Sequence, residues 1–180
     1  MKPVLIAGIS NIFHGDDGFG VAVAERLTRA PLPAPLHGLV EVVDIGIRGL
    51  DLAYALTGGY RLAVLVDTVQ RGEAPGTLYV IEPEAAAMPA EGEAPISPHG
   101  VDPASVLRLA HVIGGRCAQV LLVGCEPASF GAEDEGRMGL SDEIAAAVGE
   151  AAALALSLAT DWLNDNAPAT AGATLEEIVP

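Results

Sequence analysis

Short apolar runs alternate with amphipathic stretches along most of this chain, and few folds accommodate that rhythm. PVLIAG (3–8), LVEVVD (39–44), RLAVLVD (61–67), TLYVIE (77–82) and AQVLLVGCEP (118–127) read as strands. The first is apolar at nearly every position, as a strand covered on both faces must be. Between them lie helix patterns over 18–30, 49–57, 102–114 and 140–163. The last opens at Ser141 as N-cap, with Asp142 and Glu143 in its first turn. The third opens with Asp102 as N-cap and Pro103 at the first helical position. Strand–helix alternation of this kind predicts an α/β fold: a three-layer, doubly wound, mostly parallel five-stranded sheet with helices on both faces. Only nine residues separate the third and fourth strands. That is short for a parallel crossover, so the fourth strand is expected antiparallel at an edge, against the third.

A length of 180 residues suits one domain, expected over 1–163, with a small, polar, Pro-bearing tail from 164 to 180 that reads as disordered. The hydrophobic fraction is 51% but aromatics are only 4%, so the core must come from Val, Leu, Ile and Ala. A formal charge of −15 disfavours nucleic acid and anionic membrane as partners. No targeting segment or charge-free apolar span is visible, which points to a cytoplasmic protein. Cys117 and Cys125 read as reduced, core-facing thiols.

Three polar groups stand against this background: Asp17 in GISNIFHGDDGFG, Asp67 at the end of LAVLVDT, and His99 in ISPHG. Two carboxylates and an imidazole make half a coordination shell for a divalent transition metal. In doubly wound sheets, sites lie beyond the carboxyl ends of the strands. Asp17 and Asp67 reach that edge directly, whereas His99 needs the long 84–98 loop to fold over it. Simpler roles compete: Asp17 as a helix N-cap, Asp67 satisfying nearby amides, His99 as a loop residue. Around them, Asp16 reads as a turn or cap residue and Asn11 as a tie within the first loop. His14 reads as a solvated or rim group, and Arg48 as either a surface residue or a contact to a peptide. His37 and His111 read as structural, Met138 and Trp162 as packing residues.

Other site types fail on the residues. Gly8 is followed by Ser10 and Phe13, so no dinucleotide fingerprint follows the first strand. There is no P-loop, no G-x-S-x-G elbow, no H-E-x-x-H helix, and no histidine partner for either cysteine. A receiver-like phosphoacceptor would need its acids at the strand end and a lysine where Gly124-Cys125-Glu126 stands.

The first motif, Gly8-Ile9-Ser10-Asn11-Ile12-Phe13-His14-Gly15-Asp16-Asp17-Gly18-Phe19-Gly20, resembles the opening of the maturation endopeptidases of nickel–iron hydrogenases. Asp44-Ile45-Gly46-Ile47-Arg48-Gly49, Asp67, Ala74-Pro75-Gly76-Thr77, Ser97-Pro98-His99 and Gly124 with Glu126-Pro127 extend the resemblance over roughly residues 3–160. Ser10, Ile45 and Ile47 depart from the family's pattern. The resemblance implies an endopeptidase that removes a C-terminal extension from the hydrogenase large-subunit precursor after nickel insertion. It implies that Asp17, Asp67 and His99 contact nickel supplied by the precursor, with no organic cofactor. An isolated enzyme with three such ligands is expected to hold no metal tightly. The same trio would also suit a binding module that reads a nickel-loaded partner without cutting it, or a self-sufficient metallohydrolase.

Overall fold

The computed structural model describes residues 2–83, 103–115, 117, 119–130 and 137–167. His99, the 84–98 loop and Asp102 lie outside the described residues. Five strands, β1 (Val4–Ile9), β2 (Val40–Gly46), β3 (Leu62–Thr68), β4 (Leu78–Ile81) and β5 (Gln119–Cys125), form one sheet in the order β2-β1-β3-β5-β4. Among the described residues four α-helices accompany it: α1 (Phe19–Thr28), α2 (Gly49–Leu56), α3 (Pro103–Val112) and α4 (Asp142–Asp165). The β1–β2, β1–β3 and β3–β5 pairs are parallel.

Burial on both faces explains the unbroken apolar runs. In β1, Val4 and Ile6 point to the layer of α1 and α4, packing with Phe19, Val23, Ile144 and Ala151. Their neighbours Leu5 and Ala7 point the other way, against Leu52 and Leu56 of α2 and Val106 of α3. Leu62, Val64 and Val66 of β3 repeat the first face, and Ala63 and Leu65 the second. With Phe19 the only aromatic among the fully buried large side chains, α4 fits by being thin. Ala147, Ala151, Ala155 and Ala159 form a buried stripe at four-residue spacing. By length and composition α4 could cross a membrane. Here that stripe packs on α1 and the sheet, as in a core helix.

Several expectations need correction. The edge strand β4 is antiparallel, but its partner is β5 and not β3. β5 occupies the place beside β3 through a seven-residue parallel register from Leu62↔Gln119 to Thr68↔Cys125, leaving β4 only the outer edge. The first helix begins at Phe19, after a 3-10 turn over Gly15–Gly18. The last runs on to Asp165, two residues past the expected end, and the chain from residue 168 onward lies outside the described residues. Ser141 stands at its N-cap without a side-chain capping bond. Met138 is 69% exposed and is no packing residue. Trp162 does pack on the core and carries the Arg61 guanidinium 5.0 Å above its ring.

The start of α1 presses directly on the sheet. A Cβ on Gly20 would overlap the carbonyl oxygens of Val66 and Ile9, and one on Gly8 would overlap that of Gly20. These atoms are backbone, so neither can give way. We expect Gly20→Ala to cost about 2–3 kcal/mol, the range for overpacked cores. Chemical denaturation would register this as a lower midpoint at unchanged slope.

Candidate active site

The strand order turns back between β1 and β3: β1 leads outward to β2, and β3 leads the other way to β5 and β4. In doubly wound sheets such a switch point opens a crevice at the carboxyl edge. The loop after β1 and the end of β3 border it, and these carry Asp17 and Asp67.

A bulge prepares the loop. Gly8 pairs with Asp44 but Ile9 with Gly46, so Ile45 is an extra residue on β2. Ile45 is buried among Leu52 and Leu56, while Ile47 is 62% exposed at the same edge. The departure from the family pattern at these two positions therefore places one residue in the core and one on the rim. Ser10, the third departure, is buried, and its Oγ accepts from the Val21 amide at 3.0 Å. Capping of α1 thus comes from a serine eleven residues upstream. Asp17 does not do it.

Asp17 is half-buried in the 3-10 turn. Its Oδ2 accepts from the Asn11 amide at 3.2 Å, and its Oδ1 accepts from the Thr68 hydroxyl at 3.1 Å. Asp67 is 9% exposed at the end of β3, and its Oδ1 accepts from the Thr68 amide at 2.7 Å. Both carboxylates therefore meet at one residue, Thr68, from segments that are distant in sequence. Asn11 ties its loop through Oδ1, which accepts from the Phe13 amide at 3.1 Å. His14 is exposed beside this turn, where its segment bridges to Arg137. Arg48 ties the end of β2 to α2, donating to the Asp44 and Ile45 carbonyls at 2.6 and 3.0 Å and pairing with Asp51 at 3.6 Å. Among the described residues no group of three potential metal ligands is complete.

Asp16 faces the opposite way and is 1% exposed. Its Oδ2 accepts from the Ala128 and Ser129 amides at 2.9 and 2.8 Å and from the Ser141 hydroxyl at 3.1 Å. Its Oδ1 accepts from the Ser141 amide at 2.6 Å. One carboxylate thereby joins the loop after β1, the stretch after β5 and the start of α4, where the helix dipole favours a negative charge. Burial pushes its pKa up, but the bonds from Ser141, Ser129 and Ala128 outweigh burial and hold it below the usual carboxylate range.

A second buried carboxylate, Glu126, secures the loop after Asp67. It accepts from the Arg71 and Gly72 amides at 2.8 and 3.0 Å and from the Tyr79 hydroxyl at 2.7 Å. Burial raises its pKa, yet these bonds lower it further. Burial, then the bond to Glu126, push the Tyr79 hydroxyl up to about 12. Burial, then the charges of Asp16 and Glu126, push the Cys125 thiol up to about 11, so it stays protonated and is no nucleophile at neutral pH. Sequence reasoning did not single out Thr68 and noted Ser10 only as a departure from the family pattern, because a hydroxyl beside a strand end carries no distinguishing pattern of its own.

In sequence and in fold the chain is similar to hydrogenase maturation proteases. A family model described as hydrogenase maturation protease (HycI) matches residues 21–158. The hydrogenase expression/formation protein HoxM of Cupriavidus necator is 35% identical over 168 residues, covering 93% of this chain and 79% of HoxM. The hydrogenase maturating endopeptidase HybD from E. coli superposes with a TM-score of 0.70 at 26% identity, covering 90% of this chain and 94% of that one. The hydrogenase 2 maturation peptidase from a Thaumarchaeota archaeon gives 0.63 at 32% identity, covering 87% and 97%.

Proposed function

The chain belongs to the hydrogenase maturation protease family, and from that premise we propose that it is the endopeptidase removing a C-terminal extension from a nickel–iron hydrogenase large-subunit precursor once nickel is in place. Asp17 and Asp67, with His99, take hold of the precursor's nickel and read its presence. The observation that carries this reading is the convergence of the two carboxylates on Thr68 at the switch point.

The donor set fits such a metal. Each Asp17 oxygen accepts one described hydrogen bond, so each keeps a lone pair. Two carboxylates and an imidazole suit a divalent transition ion, and three ligands leave positions that the precursor's own donors fill. The enzyme therefore binds the loaded precursor better than the empty one, and specificity follows from that difference. Held in this way, nickel polarises the scissile carbonyl or the attacking water. The chain's own share is to orient the peptide and move a proton. One carboxylate of the pair takes the proton as water adds to the carbonyl carbon, and the proton passes to the departing amine as the C–N bond breaks. Exposed Ile12, Phe13 and Ile47 stand on the loops after β1 and β2, at the same edge, and offer apolar surface to the incoming chain.

Incubation with nickel-loaded and with metal-free precursor, read by intact mass, tests the proposal. Loss of a C-terminal peptide from the loaded form alone is expected. Complex formation with unchanged precursor mass would overturn the protease reading. Equal cutting of both forms would overturn the nickel checkpoint.

A further inference from the structure

We propose that Thr68 is a positioning residue, holding the Asp17 carboxylate in a fixed orientation against Asp67; the proposal rests on the reading of the site given above. Asp17 and Asp67 belong to different segments, one in a 3-10 turn and one in a central strand. The turn is tethered chiefly elsewhere: Asp16 bonds toward α4, and Gly15 donates to the Arg137 carbonyl at 2.6 Å. Those ties fix the turn's backbone but leave the Asp17 side chain free to rotate about χ1 and χ2. Two bonds restrain it, from the Asn11 amide and the Thr68 hydroxyl. Asn11 lies in Asp17's own loop, so among the described residues only the Thr68 bond relates the carboxylate to β3.

Thr68 is well placed for that task. It is the last residue of β3, in register with Cys125, so the ladder fixes its backbone. Being β-branched, it has a stiff χ1. A hydroxyl has one proton, and Thr68 donates it to Asp17 at 3.1 Å while its own amide donates to Asp67 at 2.7 Å. One rigid residue thus sets two donors at two carboxylates. A ligand pair that must capture a metal carried by another protein gains from such preorganisation, because ordering flexible side chains on contact costs affinity.

The experiment compares Thr68→Val, which keeps the shape and loses the hydroxyl, with Thr68→Ser, which keeps the hydroxyl. Both are expected to melt within about 3 °C of the parent, since the residue is only half-buried. On nickel-loaded precursor, Thr68→Val should lose about 100-fold in kcat/KM, the scale of an ångström-sized misplacement, and Thr68→Ser should stay within about threefold. The carbon-13 carboxyl signal of Asp17 should move in Thr68→Val and return toward the parent position in Thr68→Ser. Valine within about threefold of the parent, or serine as impaired as valine, would overturn the proposal. Should the parent itself leave the precursor uncut, the proteolytic reading fails, and the Asp17 signal alone decides the positioning claim. An unmoved signal in Thr68→Val then refutes it.

Discussion

Asp16→Ala should lower the melting temperature by about 10 °C, the largest stability effect we expect from one loop residue. The change removes the acceptor of three backbone amides and one hydroxyl, at Ala128, Ser129 and Ser141. Donors left without partners cost about 1–3 kcal/mol each when buried; Ala128 and Ser129 are exposed and Ser141 half-buried, so rehydration brings the sum down to about 3–5 kcal/mol. Against the usual stability of about 5–15 kcal/mol, that is a large fraction. Glu25→Ala is the control: its ion pair with Arg29 is exposed, and its loss should cost at most about 0.5 kcal/mol.

The acid limb carries a second signature of Asp16. Its carboxyl lies below the ordinary range when folded, so the stability it adds is complete above the ordinary carboxylate pKa of about 3.9. That stability is lost as pH falls through the lowered folded value. The difference between the parent and Asp16→Ala should be constant from about pH 6 to 8 and shrink below about pH 4. Urea titrations at stepped pH would measure it. A difference unchanged down to about pH 2 would contradict the assignment.

Asp17→Asn and Asp67→Asn should each reduce cleavage of nickel-loaded precursor by about 1,000-fold or more, equivalent to about 4 kcal/mol of barrier. His99→Ala should fall in the same class. Asparagine keeps an oxygen that can accept from Thr68, so geometry is largely retained while the charge is lost. Melting temperatures should accordingly change little, which separates this effect from that of Asp16→Ala. Steady-state kinetics against intact precursor, with unfolding curves for each variant, would check both halves. Either aspartate variant cutting at near-parental rate would remove that residue from the site.

Much of this arrangement was legible in the residues. Two-sided burial made β1 and β3 readable, because each apolar run is continuous. The sequence also set Asp16, as a turn or cap residue, apart from Asp17, and Asp16 does bond the Ser141 amide at the start of α4. What escaped were relations across long separations. β4 could be placed at an edge from its short connection, but nothing local says that β5 takes the seat beside β3. Ser141 has every mark of a helix cap, yet its hydroxyl turns to Asp16, 125 positions earlier. Ser10 caps a helix that starts nine residues beyond it. Local patterns report what a residue can do, and tertiary neighbours decide which option it takes.

The reach of Asp16 also sets a schedule for synthesis. The loop that carries Asp17 leaves the ribosome early, but the amides that lock its neighbour belong to Ala128, Ser129 and Ser141. Until those three residues dock, the first loop lacks this anchor, however complete the strands beneath it. The frame of the candidate site is therefore completed last. A nascent or truncated chain carries Asp16 and Asp17 without the partners that hold their loop, until the start of α4 has arrived.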